Sequence, residues 1–371
     1  MTTRRKYSRK WPAVYVGRLR ELRKRMSDNK LDAFLLTNPT DIFYLTGFSG
    51  EDSWALVNAG SVTALSDRRF EEELALKTPH LIAVMRKKSL TEELKKVSRK
   101  HRLRRIGFQS DYTTVKQRKE IAKGIGGKKL RDTADWMITL RKTKNDAEVR
   151  CIETAVRIQE RAFRAMLREI KPGMTERQAT AILEFNMKKL GADGTSFGTI
   201  VAAGANSSIP HYRAGDVKIK KGSPILFDFG ARYRGYCSDM TRVIAFDRFP
   251  SKIEKIYRIV RDAYLAGIDA VRPGAHLKDV DAVARKVIEK AGYGKAFGHS
   301  LGHGIGLDIH EEPRLAKLSK GQLEPGNVVT IEPGIYLPGV GGVRIEDDIL
   351  VTSKGHRNLC SLPTDLESAI I

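Results

Sequence analysis

The C-terminal part of the chain repeats itself, which confines the fold to architectures in which one unit packs against its copy. Lys171-Pro172-Gly173 recurs as Arg272-Pro273-Gly274, and Gly191 recurs as Gly292, both at an offset of 101 residues. In each copy the first motif precedes a helical stretch and the glycine follows it. Thr175 with Gln178 forms a capping box at the start of the first such helix, and Gly191 suits its C-terminal stop. A long amphipathic helix begins near Lys144, with Val149, Ile152, Val156, Phe163, Met166 and Ile170 near helical spacing. Each copy then closes on a hairpin, at 224–245 and at 328–351. The pattern predicts two related sheets side by side, covered by helices, with a cleft between the hairpins at a pseudo-twofold axis.

Upstream the texture differs. Residues 14–135 alternate short apolar runs with polar helical stretches, the signature of an α/β domain. Strands are expected at 31–37, 53–57, 62–65, 81–86 and 105–108, helices at 68–77 and 90–100, and turns at Asn38-Pro39 and Gly124–Gly127. No chemical motif stands out there. The expected division is therefore 1–143 for an N-terminal α/β domain and 144–371 for the domain that carries the repeat. A length of 371 residues with 41% hydrophobic content supports two cores.

The net charge of +23 is unevenly spread. Residues 1–30 carry a net +9 and residues 86–131 a net +13, which leaves the remainder close to neutral. These segments lack the interleaved aromatics that stack bases, so a solvated surface is expected rather than a nucleic-acid site. No apolar run reaches the roughly 18 to 20 residues that span a bilayer. The basic start, Met1 to Arg9, is not followed by the apolar stretch of a signal peptide, so a cytoplasmic location without membrane contact is expected. Cys151, Cys237 and Cys360 are far apart and in no CxxC spacing. They suggest small buried hydrophobes rather than a disulfide framework or a thiolate metal site.

The chemistry lies in the hairpins. Asp228 interrupts the apolar run Ile225-Leu226-Phe227-Asp228-Phe229, and Asp239 follows in Cys237-Ser238-Asp239-Met240. With a turn centred on Tyr233 and Arg234, the two would fall opposite each other. Glu332 and Glu346 repeat the arrangement, symmetric about Gly339. Like charges opposite one another in an antiparallel pair destabilise it. Four carboxylates so placed would shift toward protonation unless cations compensate, and two divalent cations would balance them. Neutral ligands are at hand in the glycine-rich stretch from Gly298 to Pro313, which holds His299, His303 and His310.

The string from Phe297 to Pro313, with Asp228, Asp239, Glu332 and Glu346 at these spacings, resembles the pita-bread metallopeptidases, in particular the Xaa-Pro branch of aminopeptidase P and prolidase. The resemblance covers about residues 144–352 and extends more weakly to the N-terminal part. It implies a ribonuclease-H-like α/β first domain followed by a pseudo-twofold pita-bread catalytic domain. Asp228, Asp239, His303, Glu332 and Glu346 match the five ligands of a dinuclear metal site. By the same resemblance His211, His299 and His310 match non-ligand histidines. Arg344 matches an arginine near the metals that would stabilise a neighbouring carboxylate or the substrate. Arg314 matches a position that binds the free carboxylate of a dipeptide.

The implied activity is hydrolysis of the Xaa-Pro bond, at peptide N-termini or in dipeptides, by a hydroxide bridging two metals. One histidine and four carboxylates form a hard, oxygen-rich set, which suits Mn²⁺, with Co²⁺, Zn²⁺ or Fe²⁺ as substitutes. His310, then His211, would stabilise the oxyanion, and Glu332 would shuttle the proton to the leaving nitrogen. The expected partners are a Xaa-Pro peptide and a second copy of the chain in a homodimer. Two other readings are a pita-bread binding protein without catalysis, using its basic first domain, and a metal-independent hydrolase like creatinase. Both sit poorly with a ligand set in which no residue is substituted.

Overall fold

The computed structural model describes residues 11–371 and falls into two compact units, one ending at Leu140 and the other running from Arg141 to Ile371. The basic opening at 1–10 lies outside the described residues. Among these residues, no helix is long and apolar enough to cross a membrane. The three cysteines are free. Cys237 is buried, whereas Cys151 and Cys360 are only partly so.

The first unit is built on a six-stranded mixed sheet. Its strands run in the order Ile82–Met85, Val62–Ser66, Trp54–Asn58, Ala33–Leu36, Ile106–Phe108, Leu130–Asp132. Ala33–Leu36 pairs antiparallel with Trp54–Asn58 and parallel with Ile106–Phe108. Leu35, Leu56, Leu65 and Phe108 bury against Leu94, Val97 and Ile121 of the helices Leu90–Lys100 and Val115–Ile125. The expected strands are present. Asn38-Pro39, however, opens a helix rather than making a turn: the Asn38 side chain accepts from the Thr40 amide and Pro39 starts the helix Pro39–Thr46. The helix Ala13–Asp28 was not anticipated, because its buried apolar residues, Leu19, Leu22 and Met26, are set among arginines and lysines. The expected helix at 68–77 begins as a 3₁₀ turn, Arg68–Phe70, before Glu71–Leu76.

In the second unit the repeat is realised as two helix pairs. Asp146–Glu169 with Glu176–Lys189 is matched by Ser251–Ala270 with Leu277–Lys290. Gly173 and Gly274 carry φ of 94° and 82°, and Gly191 and Gly292 carry 100° and 85°, a region costly for residues with a Cβ. The Thr175–Gln178 capping box forms, whereas His276 at the equivalent position makes no side-chain cap. Beneath the first pair, Phe163 meets Phe227 and Phe229 with ring centroids 5.5 and 5.0 Å apart. Beneath the second, Ile256, Val260 and Ala284 pack on Val329, Ile331 and Val343.

Each hairpin is broken once. The first pairs Ile225–Phe229 with Met240–Ile244 and continues as Ala231–Tyr233 with Tyr236–Cys237. The second pairs Val328–Ile331 with Asp347–Val351 and continues as Gly334–Leu337 with Gly341–Arg344. Asp239, Glu332 and Glu346 lie at these breaks. Glu332 and Glu346 fall opposite each other, since Ile331 faces Asp347 and Gly334 faces Arg344.

The first hairpin corrects the expected register. Asp228 faces Thr241, not Asp239, because the turn uses Arg234 and Gly235, whose φ are 50° and 82°. That slips the pairing by two residues. A two-residue slip keeps every side chain on its face, so Asp228 and Asp239 become diagonal neighbours rather than directly opposed.

Candidate metal centre

Strand alternation aims the acids. In Ile225–Phe229 the residues Ile225, Phe227 and Phe229 enter the core under the first helix pair, so Asp228 shares the opposite face with Leu226. On the partner strand Asp239, Thr241 and Val243 follow the same parity. The two hairpins meet at the isolated bridge between Thr241 and Glu346. Ligand atoms of Asp239, His303 and Glu346 lie within 4.8 Å of one another. The Nε2 of His303 is 3.6 Å from Asp239 Oδ2 and 3.5 Å from Glu332 Oε1.

Every carboxyl of the cluster is pushed up. Burial is the largest cause in each case. Glu346, Asp228, Asp348 and Glu332 add to it at Asp239, and Glu332 and Asp228 add to it at Glu346, holding both well above the usual range. Glu332 is pushed to about 8, and Asp228 rises less because Arg344 opposes the shift. Asp228 Oδ1 and Asp239 Oδ1 are buried without a hydrogen-bond partner among the described residues. An oxygen in that state needs either a donor or a cation.

Burial lowers the His303 ring to about 4, so at neutral pH it is uncharged. Its Nδ1–H donates to the Gly304 carbonyl at 3.0 Å, which leaves the Nε2 lone pair facing the carboxylates. A neutral imidazole, four acids and buried orphan oxygens fit divalent cations, and Asp228, Asp239, His303, Glu332 and Glu346 are the residues that would hold them.

Supporting groups that the sequence did not single out cross between the hairpins. Two residues after each of Asp239 and Glu346 comes a residue that reaches the other copy. Thr241 Oγ1 donates to Glu346 Oε2 at 2.6 Å, and Asp348 Oδ2 accepts from the Asp239 amide at 3.0 Å. Arg344 is buried and donates to Asp228, to Thr241 Oγ1 at 2.9 Å and to Tyr336 Oη at 2.6 Å. This is the carboxylate-stabilising arrangement. Tyr336 Oη in turn lies 2.9 Å from Nε2 of His299, whose Nδ1–H donates to the Ser300 carbonyl at 2.8 Å. Burial, with Arg344 nearby, lowers His299 to about 4.

The remaining candidates are exposed. The His310 ring meets that of His303 edge-on, centroids 4.4 Å apart. His211 follows the 3₁₀ turn Gly204–Ser208 and, like His310, lies within electrostatic reach of Asp228. Arg314 stands in the strand Glu311–Leu315, its amide donating to Glu312 Oε2 at 3.2 Å, and its charge acts on His303, His310 and Glu332.

With this geometry in hand, comparison with known proteins is informative. The pattern of metallopeptidase family M24 matches residues 150–353, and that of the creatinase/prolidase N-terminal domain matches residues 18–143. An Xaa-Pro dipeptidase of Pyrococcus furiosus is 36% identical over 94% of this chain and 99% of its own length. The solved structure of an Xaa-Pro dipeptidase from Bacillus anthracis superposes with a TM-score of 0.92 at 37% identity, covering 96% of this chain and all of that one. An X-Pro aminopeptidase from Thermotoga maritima gives 0.87 at 33% identity, covering 94% of this chain and all of that one.

Proposed function

The chain belongs to metallopeptidase family M24, and from that premise we propose that it is an exopeptidase that cleaves the Xaa-Pro bond with two divalent cations, Mn²⁺ by preference. The observation that carries this reading is the buried cluster of four carboxyls around a neutral His303, with Asp228 and Asp239 each holding an oxygen that no donor among the described residues satisfies. When bound, such cations supply Lewis-acid activation of water and of a peptide carbonyl near neutral pH.

The other steps belong to the chain's own residues. Glu332, hydrogen-bonded by Thr330 at 3.3 Å, moves a proton toward the leaving proline nitrogen. His310, and after it His211, donates to the oxygen that gains charge as the carbonyl is attacked. His299, fixed by Tyr336, lines the substrate side. Arg314 pairs with the terminal carboxylate of a dipeptide. Relatives named for dipeptidase and for aminopeptidase activity both support the Xaa-Pro reading. The intact acid set and the match to proteins named as Xaa-Pro peptidases favour it over a non-catalytic binding protein or a creatinase-like hydrolase. A homodimer and a cytoplasmic location complete the proposal and rest on the resemblance and composition.

The test is hydrolysis of Ala-Pro, Ala-Pro-Ala and Ala-Ala by metal-loaded protein. Cleavage of the proline peptides with little or none of Ala-Ala is expected. Failure to cleave any Xaa-Pro bond under metal loading would overturn the reading.

A further inference from the structure

A buried ion cluster ties down the loop between His303 and His310. Glu311 follows His310 directly, and its side chain is only 6% exposed, between Arg141 at 7% and Lys144 at 1%. Lys144 Nζ donates to Glu311 Oε2 at 3.0 Å, and Arg141 donates to Oε1. The Asp308 amide donates to Oε1 at 3.1 Å, while its carboxylate takes a further bond from Arg141. The Glu311 carboxylate lies on Gly306, where a Cβ would come within 2.5 Å of Oε2. On its other side the loop is held by the Cys237 amide, which donates to the Gly306 carbonyl at 2.7 Å, two residues before Asp239.

Burial pushes the Glu311 carboxyl up, but Lys144 and Arg141 outweigh it and hold the group at about 2, so it is ionised at neutral pH. Two cations, Arg141 and Lys144, face two carboxylates, Asp308 and Glu311. Such buried ion groups contribute little net stability compared with a well-packed apolar replacement. What they do is fix direction, because each oxygen is held by a separate donor. The segment they fix is the one that presents the His310 ring beside His303.

We propose that Glu311, clamped by Arg141 and Lys144, is a positioning residue that aims the His310 ring at the reacting carbonyl. The inference rests on the peptidase reading in taking His310 as the donor to that carbonyl. It predicts that Glu311 acts through His310, so the two substitutions share one effect.

The experiment is a double-mutant cycle on the metal-loaded protein. Glu311→Gln should lower kcat on Ala-Pro about 10- to 100-fold, with KM within about twofold and metal content unchanged. In a His310→Ala background the same substitution should change kcat by less than about twofold. Losses that multiply instead would overturn the proposal. A second arm needs no turnover: in Zn²⁺-loaded protein with labelled histidine, Glu311→Gln should move or broaden the His310 ring signal and leave that of His211 in place. An unmoved His310 signal would overturn it as well. A wild type that cleaves no Xaa-Pro peptide would sink the proposed function, and the ring signal would still decide the role of the cluster. Should Glu311→Gln fail to fold, Lys144→Gln, which leaves Arg141 on the carboxylate, carries the same measurements.

Discussion

At Asp239, burial, like charge and an unsatisfied oxygen coincide. Asp239→Asn keeps the size and removes the charge. It should cost the protein at least one metal ion per chain, read by elemental analysis after gel filtration in Mn²⁺; full metal content in the variant would remove Asp239 from the ligand set. Arg314 carries the question of product length. A charge-assisted bond to a dipeptide carboxylate is worth about 1.5 to 3 kcal/mol, so Arg314→Ala should raise KM for Ala-Pro roughly 10- to 100-fold. Ala-Pro-Ala, whose carboxylate lies farther along, should change much less, and equal effects on both would show that Arg314 does not measure chain length. Asp228 and Glu332 were legible as acids inside apolar strands, but Thr241, Tyr336 and Asp348 were not. Threonine and tyrosine are ordinary strand residues, and Asp348 is one of several acids in a run. Thr241 and Asp348 take their roles from bonds to Glu346 and Asp239, more than 100 residues away, and Tyr336 from bonds to Arg344 and His299. One signal was available: aligning the copies on Asp239 and Glu346 puts Thr241 and Asp348 at equivalent places.

At the level of elements, the repeat foretold the helix pairs and the hairpins but not the break in each hairpin, and the turn residues decided the register. Gly339, with φ 74°, sits where the second turn was expected. Arg234 carries no such sequence signal as a positive-φ residue, and the first turn was accordingly misplaced. The strand Gly302–Gly304 shows how tightly His303 is held. A Cβ on Gly302 would lie 1.9 Å from the Thr330 carbonyl oxygen, a backbone atom that cannot swing aside. Gly302→Ala should therefore destabilise the protein by at least about 2 kcal/mol in urea and lower its metal content, since the strand carries His303. Gly298→Ala, with nothing within 4 Å of its Cβ, is the control. If the two variants were equally stable and equally metal-loaded, the close approach at Gly302 would have no consequence.

For the whole molecule, the ionised Glu311 sets a pH dependence whose sign follows from its direction of shift. Its folded value of about 2 lies below the usual 4.5, so its contribution is complete above about 4.5 and fades as pH falls toward about 2. The stability gap between wild type and Glu311→Gln should be constant above that window, of the order of 3 kcal/mol, and should close within it. A gap that widened on acidification would contradict the ion cluster. The N-terminal unit holds most of the charge excess and contributed no candidate site residue, while the C-terminal unit supplied them all. If the buried acids are there to hold catalytic metal, bound metal and activity must return together. Protein stripped by chelation and gel filtration is reloaded stepwise with Mn²⁺, with bound metal and Ala-Pro hydrolysis followed together. The stripped protein should be inactive, and activity should return in step with metal up to two ions per chain; full hydrolysis in thoroughly metal-free protein would show that the buried acids hold no catalytic metal.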